Sequence, residues 1–487
     1  MMTQQDLEKY LWGAATALRG TIDAGDYKQY IFPLMFFKRI SDVYDEEFEN
    51  ALAESDGDLE YAAFAENHNF LIPEGAHWND VRETTSNIGL ALQNAMREIE
   101  RANPDTLEGI FGDASWTNKD RLTDAMLTTL IEHYSQHKLN LKNVPDDKLG
   151  NAYEYLIKEF ADDSGHTAAE FYTNRTVVKL MTMIMDPQPG ESVYDPTCGS
   201  GGLLLNCALH LKDEGKEYRT LKLYGQEINL LTSAIARMNM FMHGIEEFDI
   251  VRGNTLSNPG LLENDRLKKF NVILANPPYS IKSWDRKAFE SDPYGRNVWG
   301  TPPQGCADYA FQQHIQKSLD LGNGRSISLW PHGILFRDAE SDMRKKMIEQ
   351  DQVECVIGLG PNLFYNSPME ACLLITKTNK EESKKGKVLI INAVKEVRQD
   401  KNIAYLEQSH IERIYNAYKY YVDENGFSKV VTIDEVLKHK SSLNMALYVS
   451  NVDSSKLQIS LDDALTNWQT SSKQLSTSMK QLFKELG

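Results

Sequence analysis

The stretch DPTCGSGG at residues 195–202 decides the fold, because it joins a short apolar run to the start of an apolar helix. Residues 192–194 are predicted to form a buried strand, and the triplet LLL at 203–205 begins a helical pattern. Glycines at such a junction permit a tight turn and a close approach of the backbone to a ligand. The stretch matches neither G-x-G-x-x-G nor a P-loop, so a purely structural turn stays open as the alternative.

Short apolar runs alternate with helical patterns over the middle of the chain. The predicted strands after the glycine turn cover residues 221–225, 248–251, 271–274, 326–330, 355–357 and 371–376. Helical patterns lie between several of them, for example at 232–243 and 307–319. This alternation predicts an α/β fold with a mostly parallel, Rossmann-like sheet covered by helices on both faces. Ligands of such sheets bind at the carboxyl ends of the strands.

Both ends of the chain are predicted to be helical. Apolar residues recur at helical spacing through the first part, which ends at the polar segment ADDSGHT at 161–167. We therefore expect a helical N-terminal domain at 1–165, a Rossmann-like domain at 166–400 and a helical C-terminal region at 401–487.

The charge is unevenly distributed along the 487 residues. The net charge is −18, residues 1–170 carry all of it, and residues 42–60 hold nine acids and no base. Such a chain lacks the basic surface of an autonomous nucleic-acid binder, although a partner could bring nucleic acid to it. No apolar run approaches the roughly 20 residues of a membrane span. The start resembles no signal peptide, and the five cysteines form no C-x-x-C pair, so we expect a cytoplasmic protein with reduced thiols.

Two further motifs follow predicted strands. Glu227, in GQEIN, is placed where a carboxylate can accept both ribose hydroxyls of an adenosine. NPPY at 276–279 is a rigid turn, because its two prolines stop the strand. The Asn276 amide and the Pro277 carbonyl can each accept one hydrogen of an exocyclic amine, and the Tyr279 ring can stack on the base. The nitrogen lone pair would then point at an electrophilic methyl group.

In this order, DPTCGSGG, GQEIN, GNTL at 253–256 and NPPY resemble the motifs of amino-directed adenine-N6 DNA methyltransferases. More narrowly, over roughly residues 5–400 the chain resembles the modification (methylase) subunit of type I restriction-modification systems. Further segments similar to that subunit are DYKQY at 26–30, GNAYE at 150–154, ARMNM at 236–240, ADYAF at 307–311 and PNLF at 361–364. The resemblance implies S-adenosylmethionine as the cofactor and N6 of adenine in double-stranded DNA as the methyl acceptor. The target base must then leave the helix stack.

The resemblance also implies roles for individual residues. The expected catalytic residues are Asn276, Pro277, Pro278 and Tyr279. The expected cofactor-binding residues are Glu170, Phe171, Tyr172, Thr173, Asn174, Arg175, Asp195, Gly199, Ser200, Gly201, Glu227 and Asn254. Asn174 stands where the family often has proline, and Asn254 stands where many relatives carry aspartate for the adenine amine of the cofactor. An amide oxygen can still accept that hydrogen bond. Phe364 or Tyr365 is the candidate for stacking on the other face of the base.

The chain has no obvious domain for recognising a DNA sequence. The resemblance implies a separate specificity subunit that binds two copies of this chain, and we expect the terminal helix at 461–486 to be one docking surface. A restriction motor-nuclease subunit would supply any cleavage, and no membrane partner is expected. The alternatives are a methylase of RNA guanine amines or of protein glutamine amides, and a non-catalytic scaffold of a defence complex. His133 and His137 have metal-like spacing but no third ligand, so no metal site is expected.

Overall fold

The computed structural model describes residues 2–19, 21–163, 173–363, 369–400, 403–449 and 461–486. Its N-terminal part is helical, which confirms the prediction for this part of the fold. The α-helices of this part are α1 (Gln4–Gly13), α2 (Lys28–Glu54), α3 (Leu59–Ala62), α4 (Trp78–Arg82), α5 (Ile88–Ala102), α6 (Pro104–Leu107), α7 (Asp124–Tyr134) and α8 (Asp146–Asp163).

Helix α2 is the centre of the helical part. It runs for 27 residues, and its first half is buried among the other helices. Its Phe32 ring lies 4.8 Å from the Tyr153 ring of α8, measured between centroids. Its Arg39 is buried, pairs with Asp146 at 2.7 Å and donates to the carbonyl oxygen of Val144 at 2.8 Å. Apolar packing and buried hydrogen bonds together attach the start of α8 to α2.

A nine-stranded sheet forms the rest of the described core. The strands of the chain are β1 (Ser192–Asp195), β2 (Lys222–Glu227), β3 (Phe248–Arg252), β4 (Leu262–Glu263), β5 (Arg266–Leu267), β6 (Val272–Ala275), β7 (Arg325–Pro331), β8 (Val353–Leu359), β9 (Ala371–Lys377), β10 (Lys387–Ala393), β11 (Arg398–Asp400), β12 (Ile403–Tyr405) and β13 (Ser428–Thr432). The order in the sheet is β13-β10-β8-β9-β7-β6-β1-β2-β3, and β4-β5 and β11-β12 form separate two-stranded pairs. This confirms the predicted α/β class.

The strand order reverses at β1. Strands β3, β2, β1, β6 and β7 are parallel, and β2 and β6 lie on opposite sides of β1. The chain therefore leaves β1 toward one edge and returns on the other side, which creates a crevice at the carboxyl ends of β1 and β6. Asp195 is the last residue of β1, and Asn276 directly follows β6. The topology thus brings the glycine turn and NPPY to one crevice.

Helices cover both faces of the sheet. The described α-helices that follow the helical N-terminal part are α9 (Arg175–Met185), α10 (Gly202–Asp213), α11 (Leu230–Met242), α12 (Arg286–Glu290), α13 (Asp308–Ser318), α14 (Ser341–Glu349), α15 (Gln408–Tyr420), α16 (Ile433–Lys438) and α17 (Leu461–Leu486). Alternate residues of β6 enter different hydrophobic clusters, with Val272 and Leu274 in one and Ile273 and Ala275 in the other. Helix α11 also packs into the core of the helical N-terminal part.

The C-terminal part differs from the expected helical region in two strands, β12 and β13. Strand β13 pairs antiparallel with β10 and forms an edge of the main sheet. Its Val431 packs on the same face as α16. The domain boundaries expected near 165 and 400 stay predictions.

All five cysteines are free thiols with buried side chains. Among the described helices, none has the length and apolar character that a bilayer crossing requires.

Candidate active site

The glycine turn connects β1 to α10 through two residues in the left-handed region. Gly199 has a φ of 53° and Gly201 a φ of 81°, which L-residues with a side chain rarely adopt. Gly201 is the N-cap of α10, so the turn directs the amino end of that helix at the crevice. The carbonyl of the buried turn residue Ser200 accepts a hydrogen bond from Asn239 of α11 at 3.1 Å. The turn is therefore fixed from behind by a buried amide.

Two carboxyl groups lie at the ends of β1 and β2. Asp195 is 1% exposed, and its Oδ1 accepts the backbone N–H of Thr197 at 3.0 Å. Burial and, to a smaller extent, the nearby Glu227 carboxylate raise the pKa of Asp195 to about 8, against the opposing effect of its hydrogen bonds with Thr197. Glu227 accepts the N–H of Gly199 at 3.1 Å and that of Asn229 at 2.8 Å. These bonds connect the carboxyl ends of β1 and β2.

Asn254 follows β3 at the same edge of the sheet. Its exposed side chain folds back, and Oδ1 accepts the N–H groups of Leu256 at 3.0 Å and Ser257 at 3.2 Å. Both lone pairs of that oxygen are then in use, and the amide nitrogen is the group left for a ligand. The acceptor role expected for Asn254 stays a prediction, and it requires one of these bonds to open.

The Asn276 amide is held on both sides. Its Nδ2 donates to the Thr173 hydroxyl at 2.9 Å, and the Tyr279 hydroxyl donates to its Oδ1. Burial raises the pKa of Tyr279 well above its usual value, which keeps the phenol protonated and able to donate. The two partners fix which way the amide oxygen points. Stacking of the Tyr279 ring on a base stays a prediction, whereas its hydrogen bond to Asn276 was not anticipated from the sequence.

The residue after NPPY is anchored to a buried ion pair. Ser280 has a φ of 50°, and its N–H donates to Asp308 of α13 at 2.8 Å. Asp308 is fully buried and pairs with Arg337 at 2.5 Å, and Arg337 also pairs with Glu340 at 2.8 Å. This chain of contacts holds the catalytic turn on α13. The segment ADYAF at 307–311 therefore supports the NPPY turn through the hydrogen bond between Asp308 and Ser280.

Two cavities meet at this edge of the sheet. The large cavity has a volume of about 490 Å³ and is lined by Glu227, Asn254 and all of Asn276 to Tyr279. The small cavity has a volume of about 40 Å³ and is lined by Glu154, Thr173, Arg175, Asp195, Gly199, Ser200 and Asn276, among others. Because Thr173 and Asn276 line both cavities, the structure brings candidate residues from the ends of β1, β2, β3 and β6 together around one connected space. Gly201 lines neither cavity and instead begins α10.

Several apolar residues of the large cavity were missed in the sequence. They are Ile228, Trp284, Phe311, Leu363 and Met369. Ile228 is 61% exposed, which is unusual for isoleucine, and it directly follows the carboxylate of Glu227. An apolar residue just after the acid at a strand end is the signal that could have found it. Trp284 and Met369 are brought in by loops, whose positions the sequence does not reveal.

The segment before α9 is described only from Thr173 onward. Asn174 is the N-cap of α9, accepts the Thr176 N–H at 3.0 Å and donates to the carbonyl of Ala404 at 2.7 Å. Asn174 therefore caps α9 and joins it to the segment at Ala404. Arg175 contacts Glu154 at 3.3 Å. The predictions for Glu170, Phe171, Tyr172, Phe364 and Tyr365 lie outside the described residues.

The histidine pair has a structural role in the helical part. His133 Nε2 lies 2.7 Å from the carbonyl oxygen of Tyr10, and the two rings stack with centroids 5.0 Å apart. The ring of His137 meets the Tyr10 ring edge-on at 4.9 Å. Both imidazoles thus pack on one tyrosine of α1.

Comparisons with known proteins identify the family of the chain. The family model described as N-6 DNA Methylase matches residues 144–457, and the model described as HsdM N-terminal domain matches residues 7–134. The chain is 31% identical to the type I restriction enzyme MjaVIII methylase subunit of Methanocaldococcus jannaschii, over 88% of this chain and 75% of that protein. It is 28% identical to the MpnII methylase subunit of Mycoplasma pneumoniae, over 99% of this chain and 96% of that protein.

A solved structure extends the comparison to the fold. The type I restriction-modification methyltransferase subunit from Streptococcus thermophilus superposes with a TM-score of 0.80 at 30% identity, covering 92% of this chain and 100% of that one. These findings confirm the resemblance drawn from the ordered motifs. The chain belongs to the N-6 DNA methylase family and, within it, to the modification subunits of type I restriction-modification systems, which makes it an adenine-specific DNA methyltransferase.

Proposed function

We propose that the two cavities bind S-adenosylmethionine and a flipped adenine, with Asn276 and Pro277 acting on the adenine amine. The observation that carries this assignment is the Asn276 amide, held by Thr173 and Tyr279 in the same space that Glu227 lines. An amide fixed in this way is a preorganised acceptor, because its oxygen cannot exchange places with its nitrogen without losing both partners.

The residues around the cavities fit the cofactor. Glu227 lines the large cavity at the carboxyl end of β2, where its carboxylate can accept hydrogen bonds from ribose hydroxyls. The exposed face of Ile228 suits an adenine ring beside that ribose. The small cavity is lined by the Arg175 guanidinium and by the carboxyl groups of Asp195 and Glu154, which suit an aminoacyl end with a carboxylate and an ammonium. When bound, the cofactor supplies an electrophilic methyl group.

The catalytic turn acts on the amine of the acceptor. Asn276 Oδ1 and the Pro277 carbonyl each accept one amine hydrogen, which favours a pyramidal nitrogen with its lone pair directed away from the base. The two oxygens also stabilise the positive charge that develops on that nitrogen. Loss of one such group typically reduces the rate by about 10²–10³. The Tyr279 hydroxyl holds the amide oxygen in place, and the Tyr279 ring lies against the base.

The C-terminal helix α17 has an exposed apolar face that supports docking of a specificity subunit. In α17 the side chains of Leu465, Trp468, Leu475 and Met479 recur at steps of three, seven and four residues, and their exposure ranges from 44% to 68%. This spacing is the seam of a coiled coil. We infer that a helix of the specificity subunit covers it, with two copies of this chain on each specificity subunit. A restriction motor-nuclease subunit would complete the system.

The docking assignment is tested with Trp468→Glu in the reconstituted complex, with Thr470→Glu on the opposite face of α17 as the matched control. Size-exclusion chromatography of this chain with its specificity subunit should show loss of the complex for Trp468→Glu only. Equal binding by both variants would reject α17 as the docking surface.

The catalytic assignment is tested with Asn276→Ala in the complete complex. We expect N6-methyladenine to disappear from one bipartite motif of genomic DNA, while calorimetry still detects binding of S-adenosylmethionine. Unchanged adenine methylation with confirmed expression of the variant would refute the role of Asn276. Absence of cofactor binding by the wild-type chain would refute the cofactor assignment.

A further inference from the structure

Glu154 belongs to the helical part of the chain but contacts the site in the sheet part. It lies on α8, whose neighbouring Tyr153 and Leu156 are fully buried in the helical core. Its Oε1 accepts a hydrogen bond from Asn239 of α11 at 2.8 Å, and its Oε2 lies 3.3 Å from the Arg175 guanidinium. One carboxylate of the helical part thus contacts Arg175, which lines the small cavity, and α11, which packs behind the glycine turn.

A buried amide links Glu154 to the glycine turn. Asn239 is 0% exposed, and its Nδ2 donates both to Glu154 and to the Ser200 carbonyl. Helices α8 and α11 approach closely here, since a Cβ on Gly150 would lie 2.4 Å from the His243 ring. The position of Glu154 relative to the turn is therefore fixed by tight packing between these two helices.

The charges around the small cavity are complementary to an amino acid. Glu154 and Asp195 supply carboxyl groups, and Arg175 supplies a guanidinium. A carboxylate on the ligand would pair with Arg175, and an ammonium would pair with a carboxylate of the protein. The ion pair between Arg175 and Glu154 is long, at 3.3 Å, and the Arg175 side chain is 50% exposed. Because such a pair contributes little free energy, Arg175 can turn toward a ligand carboxylate.

We propose that Glu154, a residue of the helical N-terminal part, binds the ammonium group of the aminoacyl end of the cofactor, beside Arg175 on its carboxylate. This inference rests on the proposed cofactor site and adds a binding residue from outside the sheet. It follows that the sheet part alone forms an incomplete cofactor site. Movement of α8 relative to α11 would then change cofactor affinity directly.

The test compares three ligands on the full chain by titration calorimetry. S-Adenosylmethionine and S-adenosylhomocysteine both carry the aminoacyl end, whereas 5′-methylthioadenosine keeps the adenosine and lacks that end. Glu154→Gln keeps the size of the side chain and an acceptor for Asn239 but removes the charge. We expect its affinity for the first two ligands to fall at least tenfold, as for a charged hydrogen bond. Its affinity for 5′-methylthioadenosine should stay within about twofold.

Two further variants complete the experiment. Asp147→Asn removes an exposed carboxylate from the same helix, where it pairs with Lys212, and should leave all three affinities unchanged. Glu154→Asp keeps the charge on a shorter side chain, and its preference for S-adenosylhomocysteine over 5′-methylthioadenosine should lie between those of the wild type and Glu154→Gln.

The outcomes separate this inference from the proposed function. Equal weakening of all three ligands by Glu154→Gln, including complete loss of 5′-methylthioadenosine binding, would show a structural role only and overturn the inference. Unchanged affinities would overturn it as well. If the wild-type chain bound none of the ligands, the proposed cofactor site itself would fail, and the inference with it.

Discussion

Cofactor binding should depend on pH through Asp195. This carboxyl group is 1% exposed at the end of β1, and burial together with the charge of Glu227 raises its pKa to about 8. Below that pH the free protein holds Asp195 in its neutral form. A ligand with an ammonium group favours the ionised form, so binding must release a proton. Affinity should therefore rise with pH up to about 8.

The magnitude follows from the ionised fraction of Asp195. For a pKa of about 8, this fraction is about 1% at pH 6.0 and about 24% at pH 7.5. If the charged form carries the binding, the association constant rises about 25-fold over this interval. At pH 7.0 about 0.9 proton should be released for each ligand bound.

Calorimetry with S-adenosylhomocysteine measures both quantities. Titrations at pH 6.0, 6.5, 7.0 and 7.5 give the affinity, and repeats in buffers of different ionisation enthalpy give the number of protons released. Asp195→Asn should bind more weakly at pH 7.5 and lose the pH dependence, while Asp147→Asn should keep it. A flat profile for the wild type, or the same slope in Asp195→Asn, would refute the reasoning.

Three more outcomes are expected. Tyr279→Phe removes the donor that holds the Asn276 amide oxygen, so kcat should fall about tenfold in single-turnover methylation with cofactor affinity unchanged; a kcat equal to that of the wild type would contradict this. Asn254→Asp can keep its backbone cap and offer a second oxygen, so calorimetry should show cofactor binding about fivefold tighter, and weaker binding would count against it. Asp308→Ala removes one of the two buried carboxylates that pair with Arg337 and also the acceptor of the Ser280 N–H, so it should lower the free energy of unfolding by about 2 kcal/mol in urea denaturation; an unchanged free energy of unfolding would contradict this.

Most of the sheet could be predicted because strands such as β1, β6, β8 and β9 are almost entirely buried. Strands β1, β2, β3 and β6 to β9 all appear where apolar runs predict them. Strands β10 and β13 of the main sheet were missed, although β10 is largely buried. In β13 only alternate residues such as Ser428 and Val431 are buried. An edge strand exposes part of its surface, so its pattern is weak and its pairing partner is distant in sequence. The strand order, and hence the crevice at β1 and β6, depends on these distant pairings.

The acidic run at 42–60 shows a different limit of the sequence. The most economical interpretation is a solvated, solubilising face, yet Asp42 accepts the Leu139 N–H at 2.6 Å in a buried position. Glu46 accepts the Leu141 N–H at 2.8 Å, and burial raises the pKa of Glu47 to about 7. These acids satisfy backbone donors of segments far away in sequence. Such roles are invisible in composition, because acids that accept buried hydrogen bonds and acids that face water look the same.

Candidate site residues could be proposed from the sequence where a motif lies at the end of a predicted strand. Contacts between residues far apart in the chain could not be proposed in this way. Thr173 and Asn276 are 103 positions apart and share a hydrogen bond. Glu154 contacts Arg175 and the amide behind the glycine turn, although it belongs to another part of the chain. The site is therefore a junction of several elements.

That junction couples the cofactor to the helical part. If Glu154 binds the ammonium group, any event that displaces α8 weakens cofactor binding, and by thermodynamic reciprocity the bound cofactor opposes that displacement by the same factor. Tight packing of Gly150 on His243 makes the displacement an all-or-none change in contact between α8 and α11, since packed interfaces do not deform smoothly. A docked specificity subunit or DNA that moved the helical part would then alter cofactor affinity without touching the cavity. The resulting change in cofactor affinity cannot exceed the contribution of Glu154 to cofactor binding. The comparison of S-adenosylhomocysteine with 5′-methylthioadenosine measures that contribution.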